Sequence, residues 1–554
     1  MRMNKMALFA ALITVACASE LQAQETHQHE HQHQHGEELG RVSFPISCTT
    51  EAQKQFNRAA AWLHSFGYEE ADKAFEAVTV VDPKCGMAYW GIAMSQYHPI
   101  WAPPTKDELR KGWSAVEKAK TLSAKTERER SYLAAIEVFF KDADKLDHRT
   151  RALAYQQAME QTYRAYPEDL EAAIFYALSL LEATTLPPGK DYAKQKKAAE
   201  ILNGVLPKLP NHPGVAHYLI HSFDYPQLAE LALPAARSYA KIAPSSPHAL
   251  HMPTHIFTRL GLWQESIQSN AASAAAAKTL VARNHPGAAS YDQLHAMDYL
   301  MYAYLQGAQD QKALGILQEL HSMSRVDVEN FAAAYAFAAV PARYALERRS
   351  WTEAAALTVH PTSFPWDRFL FAEALTHFAR ALGAARSGDP AAASQSVEKL
   401  ASIQRALSSA RDNPANLYWA KQVEIQRQAA AAWTARAEGK NEDALRLMRA
   451  AADLEASTDK SPVTPGAVLP ARELLADLLL ELNKPVEALK EYEASLRDTP
   501  NRFNGLYGAA RATELSGNRA KAAQYYRQLI ALCSQAEGER AELKRAKAFR
   551  AEKK

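Results

Sequence analysis

Fourteen of the nineteen histidines lie beyond residue 40, and eight of these fall between His212 and His295. Imidazole nitrogen is a good ligand for zinc and copper, so this density points to the chemistry of a transition ion. His217 and His221 stand four apart with Asp224 three further on, a spacing that puts all three on one helix face. His251 and His255 repeat the pair 34 residues later, and His248 and Arg259 extend that face with spacings of 3, 4 and 4. The run His295-Ala-Met-Asp298-Tyr299 echoes His221-Ser-Phe-Asp224-Tyr225, each downstream of an Asn-His-Pro-Gly element that begins at Asn211 or Asn284. The candidate metal ligands are therefore His217, His221, Asp224, His251, His255, His295 and Asp298, with His248, Arg259, Tyr225 and Tyr299 as further ligand contacts.

Nitrogen and carboxylate donors suit zinc or copper(II); Met252, Met297 and Met301 nearby would suit copper(I) but also have core spacing. A hydrolase built here would need an open position for water, Asp224 or Asp298 as base, and Arg259 to steady an oxyanion. His217-Tyr-Leu-Ile-His221 and His251-Met-Pro-Thr-His255 both lack the glutamate of the His-Glu-x-x-His arrangement. No Gly-rich phosphate loop, Gly-x-Ser-x-Gly elbow or Cys/His nucleophile pattern is present, so no catalytic residue is assigned. The competing structural reading satisfies these histidines with hydrogen bonds to aspartates, tyrosines or carbonyls.

Helices must position these side chains, and one residue complicates them. Pro253 separates His251 from His255, while Ser246-Pro247 reads as a capped helix start. Either the helix bends at Pro253, or it begins there and leaves His248 and His251 in a loop. The carboxyl half shows its own period: Ala488 and Ala522, like Tyr492 and Tyr526, are 34 residues apart, with a turn at Gly517. Asn483-Lys-Pro-Val-Glu-Ala488-Leu-Lys-Glu-Tyr492, then Thr499-Pro500, then Gly517-Asn-Arg-Ala-Lys-Ala522 resembles the tetratricopeptide repeat (TPR). Similar pieces recur at Tyr68–Ala71, Gly261–Ser266, Gly388–Ala393 and Gly439–Ala444, so the resemblance spans most of residues 50–535. It implies an all-α, right-handed solenoid of antiparallel helix pairs, about eleven or twelve of them. It also implies a concave groove, lined by the first helix of each pair, that receives a peptide or protein. The aromatics from Tyr89 to Trp101, with Trp62 and His64, read as core; His377 with Glu373 and Arg380 reads as a salt-linked surface.

Sixty-four basic against 62 acidic residues, without long blocks of one sign, give no reason to expect nucleic acid or an anionic membrane as partner. Arg2 and Lys5, an apolar run from Ala7 to Ala18 and Leu21-Gln22-Ala23 read as a signal peptide, 1–23, and hence as export to the periplasm or medium. Acylation of Cys17 is the alternative. No segment is long and apolar enough to span a bilayer. Residues 24–40 form a polar tail in which His27, His29, His31, His33 and His35 alternate, suited either to capturing metal or to serving as a plain linker. Cys48 and Cys85 could pair in an oxidising compartment, but three cysteines remain after cleavage and their connectivity stays open. The repeats divide into 41–210, a His-rich 211–310 and 311–535, before a charged end at 536–554 expected to be a solvated helix or tail. The resulting expectation is a TPR binding or scaffold protein with a His/Asp transition-metal site in its groove. The alternatives are a metal-dependent, hydrolytic enzyme using the same cluster and a plain adaptor with structural histidines.

Overall fold

A computed structural model describes residues 37–551 except 101–102, 123–124, 184–190, 411–413, 459 and 539, and without the side chain of residue 414. The proposed signal peptide, Cys17, the tail histidines and Trp101 lie outside the described residues. From Glu38 onward the chain forms one compact unit. Among the described residues there is no strand, only isolated bridges at Ala289–Val326 and Gln309–Glu537.

Local chemistry sets the helix limits. Side chains of Thr49, Asp147, Asp169, Ser246, Ser290, Asn330 and Asn518 accept hydrogen bonds from first-turn amides, and Thr126 with Glu129 makes a reciprocal capping box. The helices pair in sequence, from Thr50–His64 with Tyr68–Val81 through to Phe503–Leu515 with Arg519–Leu532, twelve pairs in all. The TPR-like solenoid is thus the architecture. Ala488, Tyr492, Ala522 and Tyr526, the residues that carry the repeat signal, are all buried where neighbouring helices meet.

In many pairs one residue between the helices adopts a left-handed conformation: Gly261, Gly388, Gly439 and Gly517, but also Phe66, Arg349 and Asn483. At Phe66 no glycine relieves the strain, and this residue recurs at the candidate site below.

The middle of the solenoid is closed by its own later repeats. Trp263 Nε1 donates to the Asn501 carbonyl at 2.7 Å, Arg502 Nη1 to Tyr302 Oη at 2.7 Å, and the Phe503 amide to Gln306 Oε1 at 2.8 Å. Segment 460–470 also lies against these repeats, with Tyr299 Oη donating to the Val463 carbonyl at 3.2 Å. The open groove expected along 211–310 is therefore covered there by the chain itself. Hydrogen bonds of such long separation leave no trace in local periodicity.

Gly261 tests this closure. It has φ +64°, and a Cβ there would sit 2.3 Å from the Pro500 carbonyl oxygen, whereas Gly388 has φ +85° with open space around it. Gly261→Ala should cost more than Gly388→Ala, which carries backbone strain alone at about 1 kcal/mol. Urea melts of the two variants measure the difference, and equal costs would mean that the contact with Pro500 contributes nothing.

Two further expectations resolve. Cys48 and Cys85 are joined by a disulfide, and Cys533 is buried with its thiol pushed up to about 12 by burial. The charged end is not a solvated tail: Leu543, Ala546 and Phe549 of helix Ala541–Ala551 are buried, and Arg540 pairs with Asp310. Its few apolar residues are spaced to meet the last repeat.

Candidate metal centre

The six histidines from His217 to His295 singled out above gather into two adjacent trios. His217 and His221 come from helix Pro213–Phe223, which Pro213 opens. His248 and His251 come from Pro247–His251, His255 from Pro253–Arg259, and His295 from Tyr291–Gln306. Pro247 begins a helix, and at Met252 the chain stays right-handed helical, with its amide donating to the His248 carbonyl at 2.9 Å. The bent helix is the correct alternative, and His248 and His251 are not in a loop. The face read from the sequence divides within Pro247–His251, where His248 joins His217 and His221, while His251 and His255 stay together across Met252 and meet His295. Within each trio one nitrogen from every ring lies within 4.8 Å of the others, and the rings of His248 and His251 are 6.4 Å apart.

The tautomers decide what these nitrogens can do. Asn270 Nδ2 donates to the Ser266 carbonyl at 3.0 Å, which leaves its Oδ1 as the acceptor 2.8 Å from His251 Nδ1. His251 therefore carries its proton on Nδ1. His255 Nδ1 is 3.1 Å from Asp224 Oδ2, so it too donates, and its Nε2 holds a lone pair. The Nε2 atoms of His251 and His255 then face each other at 3.0 Å with no hydrogen between them. In the other trio His217 Nδ1 donates to the His64 carbonyl at 2.7 Å, aiming its Nε2 lone pair at His221 Nε2 and His248 Nε2, each 3.1 Å away. The opposed lone pairs of His251 and His255 repel at 3.0 Å unless a cation lies between them. Burial makes a proton an expensive choice.

Every one of these imidazoles is held below its ordinary pKa of 6.5, burial being the first cause in each; His221 is brought to about 3. Unfolded, they titrate near that ordinary value, so just below it the unfolded chain binds more protons. Their contribution to stability is complete above about pH 6.5 and declines as the pH falls towards the folded values. The melting temperature of chelator-treated protein should drop steadily from about pH 7 to about pH 5. A flat profile would contradict neutral buried imidazoles.

The other candidates fall around the trios. Asp224 belongs to neither; it orients His255 from behind. Burial alone would raise its carboxyl, but Lys460 at 3.6 Å and Arg259 at 2.9 Å, with the His255 N–H, hold it well below the usual carboxylate range. Tyr299 lies against His251, its ring centroid 4.9 Å away. Asp298 is not brought to the imidazoles: it pairs with Arg343 at 3.0 Å, and burial pushes its carboxyl up. Tyr225 stands apart, against Tyr192, and accepts from Gln195. The repeated His-x-x-Asp-Tyr element thus serves two different ends.

Sequence reasoning missed Asn270, Lys460, Arg343 and Phe66, and placed His64 in the core without seeing that its carbonyl orients His217. No local pattern marks them; Lys460 and Arg343 arrive from distant repeats. His64, Glu171 and His212 form a third cluster, in which both histidine Nε2 atoms reach the carboxylate at 3.0 Å and Tyr218 Oη meets His64 Nδ1 at 3.0 Å. Both Nε2–H groups donate to Glu171 and the tyrosine donates to His64 Nδ1, so these contacts need no ion, while His212 Nδ1 is buried without a hydrogen-bond partner. Trp62, Trp90 and Tyr97 are core, as expected. His377 pairs with Glu373 at 3.3 Å, but Arg380 instead donates to the Leu357 carbonyl.

No known protein family matches the sequence, and no curated protein matches it. Among solved structures, the TPR domain of P58(IPK) is similar over 91% of this chain and 99% of its own, at 11% identity and a TM-score of 0.21. Yeast Tom70 is similar over 91% and 96%, at 12% identity and a TM-score of 0.28. A human IFIT1 dimer with m7Gppp-AAAA is similar over 88% and 96%, at 12% identity and a TM-score of 0.34. Such likeness carries nothing about the site, and the TPR-like architecture rests on the helix pairs themselves. Among the described residues no helix is long and apolar enough to cross a membrane.

Proposed function

We propose that this chain is an exported metalloprotein whose TPR-like body encloses a two-ion centre, with zinc or copper held by His217, His221 and His248 and by His251, His255 and His295. The observation that carries the reading is the pair of opposed lone pairs at 3.0 Å between His251 and His255, each fixed by an acceptor at its Nδ1. At Glu171 both histidine Nε2 atoms face a carboxylate that accepts their protons, whereas His251 and His255 turn two acceptors on each other. Imidazole-only donor sets suit zinc and copper among the common ions. The tail histidines, on this reading, are a separate and weaker capture segment.

Three protein ligands per ion leave a coordination position open, the arrangement of catalytic more than of structural zinc sites. This favours a metal-dependent enzyme as the second reading over a plain adaptor. The test uses the full chain with His27, His29, His31, His33 and His35 changed to Ser, exposed to zinc or copper(II) and then desalted. Elemental analysis should find two equivalents per chain, and one after His217→Ala with His248→Ala or after His251→Ala with His295→Ala. Equal trace metal in all three proteins would sink the proposal.

A further inference from the structure

The two trios are built alike but are backed differently. Behind His251 and His255 the supports are polar and directional. Asn270 fixes His251, and the Asp224 carboxylate fixes His255 while being held itself by Arg259 and approached by Lys460. All three imidazoles are buried. Segment 460–470 lies over this side: Tyr299 Oη donates to the Val463 carbonyl, and Arg343 donates to the Gly466 and Ala467 carbonyls at 2.7 and 3.0 Å. An ion seated there could leave only if that segment lifted.

Behind His217 the fixed support is weaker, and this trio is less covered on the side of His221. The fixed backing of His217 is a neutral carbonyl, that of His64 at the end of its helix. Phe66, on its left-handed backbone, lays an apolar ring against all three imidazoles, with centroids 4.3, 5.6 and 5.3 Å away. His221 alone among the six is only partly buried. A carboxylate behind a ligating imidazole strengthens the donor and fixes its orientation, and loss of such a partner typically weakens binding about 10–100-fold.

On the two-ion reading above, we infer that the ions are unequal: the trio of His251, His255 and His295 holds a resident ion, and that of His217, His221 and His248 an exchangeable one that enters and leaves past His221. Rotation of a single, partly exposed imidazole opens the outer trio, whereas opening the inner one disrupts buried ion pairs. The outer trio is then where a transition ion is taken up or handed on. The inner ion holds together the repeats that form it.

The tail-substituted chain is loaded with zinc, then challenged with EDTA, and the zinc still bound is measured over time. Two phases of one equivalent each are expected, the fast at least about tenfold faster than the slow. His221→Ala should abolish the fast equivalent and keep the slow one, while Asp224→Asn, nearly isosteric, should speed only the slow phase. Asp224→Asn decides the matter even if His221→Ala does not fold. Loss of both equivalents at one rate, or an Asp224→Asn effect confined to the fast phase, overturns the inference while leaving two bound ions intact. Loading of fewer than two equivalents before the challenge removes the two-ion reading itself, and this inference with it.

Discussion

Stripped of metal, the protein should lose about 4 kcal/mol of stability for each ion that had been present at a thousandfold excess over its dissociation constant. The size follows from mass action, and the direction from geometry. Folding without metal forces the lone pairs of His251 Nε2 and His255 Nε2 together at 3.0 Å inside the protein, and the unfolded chain escapes this. Denaturant melts of the tail-substituted chain with and without a chelator measure the loss. Changing both His251 and His255 to Ala should leave a response to one ion only. Identical melts with and without metal would show that the imidazoles pack as ordinary core groups.

The second large effect concerns Arg343. Its side chain is fully buried, paired with Asp298, bonded to two carbonyls of segment 460–470 and stacked over the Tyr302 ring at 4.7 Å. Arg343→Ala leaves the Asp298 carboxyl in the interior without a counter-charge, a change that costs about 3–5 kcal/mol. Removing Asp298 as well, in Arg343→Ala with Asp298→Ala, should recover part of that cost, since the stranded charge is then gone. Equilibrium unfolding of the two variants decides it, and a double variant less stable than the single one would mean that the carboxylate is not what suffers. Amide exchange across residues 460–470 should rise in both variants, because both lose the two bonds to the Gly466 and Ala467 carbonyls.

What could be read from the sequence follows the range of the interactions concerned. Ala488, Tyr492, Ala522 and Tyr526 announce the repeat because helix pairing recurs every 34 residues and each repeat packs small and aromatic residues at the same places. The histidine pairs were visible for the same reason: four residues make one helical turn, so His217 with His221 and His251 with His255 were neighbours before any tertiary contact was known. Assignment of His248 and His251 to different trios was not visible, because it depends on which neighbouring helix each ring meets, Pro213–Phe223 for His248 and Tyr291–Gln306 for His251. Asp224 and Asp298 look equivalent in sequence yet meet different partners, His255 in one case and Arg343 in the other, and Arg343 comes from another repeat. Closure of the inner face by 460–470 and 500–503 was equally hidden, since those hydrogen bonds join residues far apart along the chain.

The most direct measurement is anomalous X-ray diffraction at the zinc or copper edge from crystals of the loaded, tail-substituted protein. Two peaks are predicted, one inside each trio, about 2.0–2.1 Å from the three Nε2 atoms as zinc–imidazole bonding requires. Peaks confined to the Glu171 cluster or to surface carboxylates, with both trios empty in a protein that binds metal, would contradict the account.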